Sequence, residues 1–492
     1  MGATASLQHF LGFDVGTQGT KALLVEAASK RIVARAQASY GLIQGLPAGA
    51  AEQHPHTWID AIRATAREVL AGIDPATVLA VGISGQQHGC VVLDERGEVV
   101  RPAKLWCDTA TAEEARELSA QLGRAVPTGF TASKLTWLKR HEPAHWDRVR
   151  AVLLPHDYVN FRLTGRKVME AGDASGTGWF DVKRRQFDGA AMAAIDGRMA
   201  DLVPPLVGAG EPAGRLDAAG AKLLGLHEGT LVSAGGGDNM MSAIGSGATR
   251  PGVVVASLGT SGTVFTWSPV PVVDPRGLIA PFCSSDGGWL PLLCVMNLTG
   301  VTEEVRTAFG TDHAQLTEAA ARVAPGCDGM LWLPFLQGER VPDLPQATGT
   351  LLGMRPGLLR MGHLYRAALE GTSLNLGWGV DLMRDLGIGV HEVRLVGGAA
   401  RNVLWRRILA AVLGARVVPL MEPESGALGA ALQALWTHQR QSDPRADLAQ
   451  LSAPYVQLSP EVTEPEPELV AAYRPLVGRY ATEVARLSAG LR

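Results

Sequence analysis

Two short stretches of this chain carry the same combination of glycine and hydroxyl residues. Residues 14–20 read Asp14-Val15-Gly16-Thr17-Gln18-Gly19-Thr20, and residues 257–263 read Ser257-Leu258-Gly259-Thr260-Ser261-Gly262-Thr263. A tight glycine turn presents backbone N–H groups, and threonine hydroxyls add further donors. Several donors aimed at one point make an anion site of the kind a phosphate needs. One such turn is ordinary hairpin chemistry. Two, about half a chain length apart, point to a polyphosphate gripped from both sides, ahead of the simpler reading of two duplicated structural turns. The echo fails at its first position, where Asp14 is matched by Ser257. A carboxylate beside a phosphate cradle repels the ligand unless a cation lies between them. Asp14 therefore reads as a partner of Mg²⁺, through water, since magnesium keeps much of its hydration shell. Taken alone, it reads as an Asx residue closing the turn.

Three glycines precede Asp238 in Gly235-Gly236-Gly237-Asp238-Asn239, between a strand pattern and a helix pattern. Two readings of Asp238 stand nearly level: a general base at a strand's carboxyl end, where α/β clefts form, and a helix N-cap. Gly85-Gln86-Gln87-His88-Gly89 is a polar triplet bracketed by glycines. Gln87 and His88 offer donors and acceptors to sugar hydroxyls, although His88 taken alone reads as an ordinary loop histidine. His54-Pro55-His56 lacks a third ligand for a metal, and Lys183-Arg184-Arg185 reads as a solvated face. The chain contains neither G-x-x-x-x-G-K-[ST] nor G-x-G-x-x-G. A nucleotide site here must therefore follow another design.

These groups need a scaffold. Each Gly-Thr-x-Gly-Thr run follows one apolar stretch and precedes another, which predicts two β-hairpins with glycines at positive φ. Strands are predicted over 78–84, 231–234 and 393–396. Helices are predicted from a cap-like Thr57 to Leu70 and from Asn402 to Leu413, with Gly414 at the C′ position. Small residues in 425–436 suit a helix packed closely against a neighbour. Residues 459–467 read as a solvated connector before a terminal helix. The repeat predicts two similar α/β halves, 1–249 and 250–492, with a cleft between them. The turn residues Arg250-Pro251-Gly252 mark the boundary.

The 492 residues include 58 glycines, consistent with many tight turns, and the 45 basic and 48 acidic residues leave a net charge of −3. That balance argues against a constitutive nucleic-acid or anionic-membrane binder. No apolar stretch reaches the ~18 residues of a membrane helix, and no secretory signal is evident. The five cysteines form no C-x-x-C pair, so a reducing, cytoplasmic compartment is expected. The opening Met1-Gly2 and Ser6 match a short myristoylation pattern, which carries little weight.

With these residues in view, the chain resembles the FGGY family of carbohydrate kinases nearly end to end. Asp14 to Thr17 with Lys21 resembles the first phosphate motif of that family, and Ser257 to Thr263 the second. Gly129 to His141 fits one family signature. Gly349 to Met354 followed by His363 to Glu370 fits the other. Gly397-Gly398-Ala399-Ala400-Arg401-Asn402 resembles the adenosine motif. The resemblance implies two duplicated actin/hexokinase-like (ribonuclease H-like) α/β domains around a central catalytic cleft. It implies ATP and Mg²⁺, with Gly16, Thr17, Gln18, Lys21, Gly259, Thr260, Ser261 and Gly262 around the phosphates, Gly397, Gly398, Ala399 and Asn402 near the adenosine, and Asp14 near the metal. Asp238 would be the base, and Gln87, His88, Asn239 and Trp106 would hold the sugar. The Gln86–His88 loop is similar to that of members acting on D-xylulose; the Arg-Glu pair of glycerol-specific members is missing there. Gly129, where glycerol members have tyrosine, implies a roomier pocket. Ribulose, a seven-carbon ketose and gluconate remain alternative acceptors. An actin-like or heat-shock-like ATPase switch is the alternative of another class. A dimer of identical chains is compatible with the resemblance; nucleic-acid and membrane partners are not expected.

Overall fold

Strands β1 (His9–Val15), β2 (Gly19–Glu26) and β3 (Arg31–Ser39) form an antiparallel meander, and β1 also pairs in parallel with β4 (Val78–Gly85). β5 (Pro212–Arg215) closes the edge beyond β6 (Leu231–Ser233), and β6 runs parallel to β4. The second sheet repeats this plan. β7 (Gly252–Leu258) pairs antiparallel with β8 (Gly262–Thr266), and β9 (Ala280–Cys283) and β10 (Trp289–Val295) extend that side. β11 (Val390–Val396) and β12 (Arg416–Pro419) add parallel strands beyond β7. Both parallel pairings even slip register at the equivalent place, at His9/Phe10 and at Gly252/Val253. The duplicated α/β architecture expected from the sequence is therefore present. The computed structural model describes residues 7–491; the Met1–Ser6 pattern lies outside them.

The two glycine-threonine runs are hairpin turns, but not for the expected reason. Gly16, Gly19, Gly259 and Gly262 are not among the glycines at positive φ. Glycine is required at two of them by proximity. A Cβ on Gly19 would lie 2.6 Å from the Ala38 carbonyl oxygen, and one on Gly262 would lie 2.7 Å from Leu298. The second turn is also tighter by one residue: Leu258 faces Gly262, whereas Val15 faces Thr20.

Helix α1 (Pro55–Val69) covers the first sheet with Trp58, Ile59, Ile62, Ala66 and Val69. It starts at Pro55 rather than at Thr57, because proline supplies a preset φ at the first helical position and needs no N–H partner there. Helix α2 (Thr131–His141) lies in the insertion between β4 and β6. Helix α3 (Asp238–Gly245) leads out of the first sheet. In the second half, α4 (Val403–Leu413) is capped by Asn402, whose Oδ1 accepts from Trp405 N, and ends at Gly414 with φ 58°. Helix α5 (Ser425–Gln439) is buried from Ser425 through Thr437. Among the described residues, no helix is long and apolar enough to cross a membrane.

Although α5 belongs to the second half by sequence, it packs on the first sheet and on α3. The approach is at main-chain distance. A Cβ on Gly12 would lie 2.1 Å from the Ala427 oxygen, and one on Gly82 would lie 2.0 Å from the Ala430 oxygen. At the crossing with α3, a Cβ on Gly245 would lie 2.0 Å from the Ser425 oxygen. A core containing Phe10, Val25, Met241, Val255, Phe265 and Leu432 fuses the two sheets through these helices.

The basic run at 183–185 is only partly the solvated face expected. Arg184 is exposed, but the Arg185 guanidinium stacks 4.4 Å from the Trp289 ring centroid and donates to the Gly288 carbonyl. An aromatic face and an open carbonyl at the junction of the halves hold the cation better than water does.

The crossing gives a direct expectation. A Cβ on Gly429 would lie 1.8 Å from the Met241 oxygen. Gly429→Val should therefore cost about 3 kcal/mol or more, read as a fall in the urea midpoint. Gly478→Ala, inside the helix Pro467–Gly490 where a Cβ meets nothing within 4 Å, should leave the midpoint unchanged or raise it slightly, since alanine favours a helix by up to about 1 kcal/mol.

Candidate active site

β1 and β4 run side by side and end together, so their last residues open onto one spot. Asp14, at the end of β1, accepts from Ser84 Oγ at 2.7 Å. Its carboxylate lies against the first turn of α5, where a Cβ on Gly426 would come within 2.9 Å of it. Helix N-termini favour negative charge. Burial nevertheless raises the Asp14 pKa, offset in part by Ser84 and Lys21 and reinforced by Glu424. Lys21 is ion-paired to Glu424 beside it.

The first turn is held from several sides. Gln53 Nε2 donates to the Thr17 carbonyl at 2.7 Å, and Tyr40 OH donates to the Gly16 carbonyl at 2.8 Å. Thr17 Oγ1 donates to Gln86 Oε1 at 2.9 Å and accepts from Trp106 Nε1 at 3.0 Å. Trp106 is thus placed against the turn while remaining 40% exposed. Gln18 is exposed at the tip. The second turn has Gly259 and Thr260 exposed, and their carbonyls accept from Thr299 N and Leu298 N. It thereby sits at the N-terminal end of the helix Thr299–Phe309.

Asp238 is the first residue of α3. The N-cap is Gly237, so the capping alternative is not realised. Asp238 Oδ1 accepts from Asn239 N at 2.8 Å and from Asn239 Nδ2 at 3.0 Å. Burial first, then the negative charges of Asp14 and Asp173, push its pKa up to about 7. Asn239 Nδ2 also donates to Gln87 Oε1 at 2.7 Å, and Asn239 Oδ1 accepts from Thr263 Oγ1 at 3.1 Å. The sequence-predicted Gln87, Asp238 and Asn239 are therefore in one cluster, linked through Thr263 to the second hairpin. Gln87 Nε2 and Ser285 Oγ are buried there without partners. Orphaned donors of this kind are expensive unless a polar ligand satisfies them.

His88 sits between the rings of Phe130 and Phe282, with centroids at 5.0 and 5.5 Å. Burial lowers its pKa, countered in part by Asp173.

A cavity of about 1530 Å³ opens in the second half. Thr260 reaches it from the second hairpin, and Gly398, Ala399 and Asn402 line it; Gly397 adjoins them with φ 100°. Asn402 Nδ2 donates to Thr317 Oγ1 at 2.9 Å. The cavity and the second turn are thus continuous through Thr260. Asp14 offers the hard oxygen donor that magnesium takes. Among the described residues, no three His, Cys, Asp or Glu side chains form a metal cage.

Sequence reasoning missed a buried polar cluster behind the site. His156 Nδ1 lies 3.0 Å from Asp173 Oδ2, and His156 Nε2 lies 2.9 Å from Asp157 Oδ1. Glu170 accepts from Gly172 N and Asp173 N. Lys134 Nζ, fully buried, donates to the carbonyls of His88, Gly129 and Phe130. The available signal was polarity inside apolar runs. His156 and Asp157 follow Val152-Leu153-Leu154 and precede Tyr158-Val159, and polar groups in such places are buried and paired.

Residues 9–245 match the N-terminal domain of the FGGY family of carbohydrate kinases, and residues 254–438 match its C-terminal domain. The chain is 38% identical to the xylulose kinase of Haemophilus influenzae over 97% of this chain and 100% of that one. It is 41% identical to the xylulose kinase of Streptomyces coelicolor over 86% and 87%. The crystal structure of xylulose kinase from Rhodospirillum rubrum superposes with a TM-score of 0.89 at 28% identity, covering 98% of this chain and all of that one.

The raised Asp238 carboxyl has a consequence for stability. Its folded value of about 7 lies above the ordinary 3.8, so the folded chain holds this proton more tightly than the unfolded chain does. The associated stability is complete below the ordinary value and is lost as pH rises through the folded one. Asp238→Asn should therefore stabilise the protein above neutrality by up to about 4 kcal/mol. The gain should disappear towards about pH 4, as read by urea unfolding across that range.

Proposed function

The chain belongs to the FGGY family of carbohydrate kinases, and from that premise we propose that it transfers the γ-phosphoryl group of ATP to the 5-hydroxyl of D-xylulose, with Asp238 as general base. The observation that carries this reading is the carboxyl of Asp238. It is held at about pKa 7 beside a Gln87–Asn239 pair and is linked by Thr263 to a glycine hairpin adjoining a nucleotide-sized cavity. A base works best when its pKa lies near the working pH, because it is then both ionised and strong enough to take a proton.

Position supports the following division of roles. The nucleotide enters as its magnesium complex, with the base in the cavity by Gly398, Ala399 and Asn402. The phosphates extend past Gly259 to Gly262 towards Gly16 to Gln18 and Lys21. Asp14 would be the carboxylate neighbour of the magnesium that accompanies the nucleotide, which would supply neutralisation of phosphate charge. Gln87, His88, Asn239 and Trp106 hold the sugar, and the unpartnered Gln87 amide takes a sugar hydroxyl as acceptor. Asp238 accepts the proton of the 5-hydroxyl while that oxygen bonds to the γ-phosphorus and the bond to the β-phosphate oxygen breaks. ADP leaves, and D-xylulose 5-phosphate is the product. Such transfers have a loose transition state, so positioning and charge neutralisation do most of the catalysis. The Arg185–Trp289 stack and the buried α3–α5 crossing are the contacts around which closure of the two halves would exclude water.

Asp238→Ala should lower kcat about a hundredfold or more, with nucleotide binding by calorimetry unchanged. In the unaltered enzyme, the base must be a carboxylate. The kcat/KM for sugar should therefore rise with pH through about 7 and then level off. Near-normal turnover by Asp238→Ala, or activity flat across that range, would contradict the role given to Asp238.

A further inference from the structure

His88 has a backbone conformation that its residue type resists. Its φ is 61°, in the left-handed region that a non-glycine residue rarely occupies. Such strain persists only where the surroundings over-determine it. Here the His88 N–H donates to Asp173 Oδ1 at 3.3 Å. The His88 carbonyl accepts from Thr131 Oγ1 and Lys134 Nζ, each at 3.1 Å. The imidazole fills the place where Gly176 lacks a side chain: a Cβ there would lie 1.7 Å from the ring.

Apolar rings and the Gly176 notch pack the imidazole, and its charged neighbour is Asp173. Nδ1 is buried without a hydrogen-bond partner of regular geometry, and the same Asp173 Oδ1 faces it at 3.5 Å. Asp173 is itself completely buried and anchored. Its other oxygen faces His156 Nδ1 at 3.0 Å, and its backbone N–H donates to Glu170 Oε1 at 2.6 Å. His156 meets Asp157 on its far side. A buried carboxylate with an imidazole on each side is a fixed acceptor. Burial alone would raise the Asp173 pKa, but His156 and His88 bring it below the ordinary value, so it stays ionised. The two carboxylates Asp157 and Asp173 overcome the burial of His156 and keep it protonated. The cluster thus supplies one resident cation and leaves Asp173 free to accept from His88.

We propose that Asp173 is a positioning residue for the sugar site: its carboxylate takes the Nδ1–H of His88, which fixes the neutral tautomer whose Nε2 is a bare acceptor for a sugar hydroxyl. This rests on His88 being a sugar ligand in the function proposed above. It makes a specific demand on the substrate, namely a hydroxyl that donates rather than accepts at this ring. It also explains why Gly176 and the buried Lys134 stand where they do, since both fix the backbone and ring on which that tautomer depends.

The test begins with the unaltered full-length chain, labelled with ¹⁵N-histidine and free of ligands at pH 7.5. Its His88 resonances are identified by their loss in His88→Gln. The Nδ1-protonated neutral tautomer is expected; an Nε2-protonated ring or an imidazolium overturns the proposal. This measurement needs no destabilised variant, so it decides the matter even where Asp173→Asn fails to fold. Where Asp173→Asn folds, its amide can donate to Nδ1 and turn the tautomer over. The sugar KM should then rise about tenfold with the ATP KM within about twofold. An unchanged sugar KM in the folded variant also overturns the proposal. A general packing defect would instead move both KM values or kcat alone. Failure of the unaltered chain to phosphorylate any ketose would remove the proposed function, whereas the tautomer would still be decided by the resonances.

Discussion

Where α5 crosses α3 and the first sheet, main chains touch without intervening side chains. Gly12, Gly82, Gly245 and Gly429 each meet a carbonyl oxygen or an amide nitrogen of a neighbouring element at distances no Cβ could share. Ser242 and Ser425 complete the crossing with a 2.6 Å hydrogen bond. The charged groups of the site depend on this contact. The first turn of α5 sets the wall against which Asp14 lies, and the start of α3 carries Asp238. A helix contributed by the second half thus fixes a carboxylate contributed by the first. The two acids are close enough for Asp14 to raise the Asp238 pKa. The small residues at the crossing set the distance between the helices, and through it the basicity of the site.

The same region concentrates charge at some cost to stability. Glu170 is pushed up to about 7 by burial, against the pull of His156 and two backbone N–H groups, and Lys134 is brought down to about 8 by burial. Structural ion pairs elsewhere are fully matched: Lys104 with Glu52 and Asp108, Arg366 with Glu370. Around Asp238 the match is incomplete: the charges of Asp14 and Asp173 push its pKa up, and Gln87 Nε2 is left bare. Proteins accept such local destabilisation where function needs a perturbed group. The raised Asp238 carboxyl and the bare Gln87 amide are groups that a nearby cation and a sugar hydroxyl would relieve.

Much of this was legible in the residues, and the boundary of legibility has a physical origin. The two hairpins were visible because turn chemistry is local: a few glycines and threonines within one short segment determine it. The helix read over 402–413 and the close packing read over 425–436 were visible for the same reason, through a cap, a C′ glycine and a run of small residues. What escaped depends on partners distant in sequence. Nothing near Gly429 announces that it meets Met241, and nothing near Asp173 announces His88. Arg185 looked solvated because its aromatic partner lies a hundred residues away. The hairpin glycines were read as conformational when Gly19 and Gly262 are required by close neighbours, Ala38 on β3 and Leu298 beyond β10. Asp238 was balanced between cap and base until Gly237 proved to hold the cap position.

A sugar kinase built on this plan must consume ATP only when its acceptor is present, and the phosphorylated product reports directly which acceptor that is. The most direct measurement is ATP turnover by the purified chain against D-xylulose, ribulose, a seven-carbon ketose, glycerol and gluconate, with the product identified by ³¹P and ¹³C NMR. D-xylulose should give the highest kcat/KM, by about tenfold or more, with the phosphate on its 5-oxygen. A sugar acid or polyol as the fastest acceptor, phosphate at another oxygen, or ATP hydrolysis indifferent to sugar would contradict that assignment.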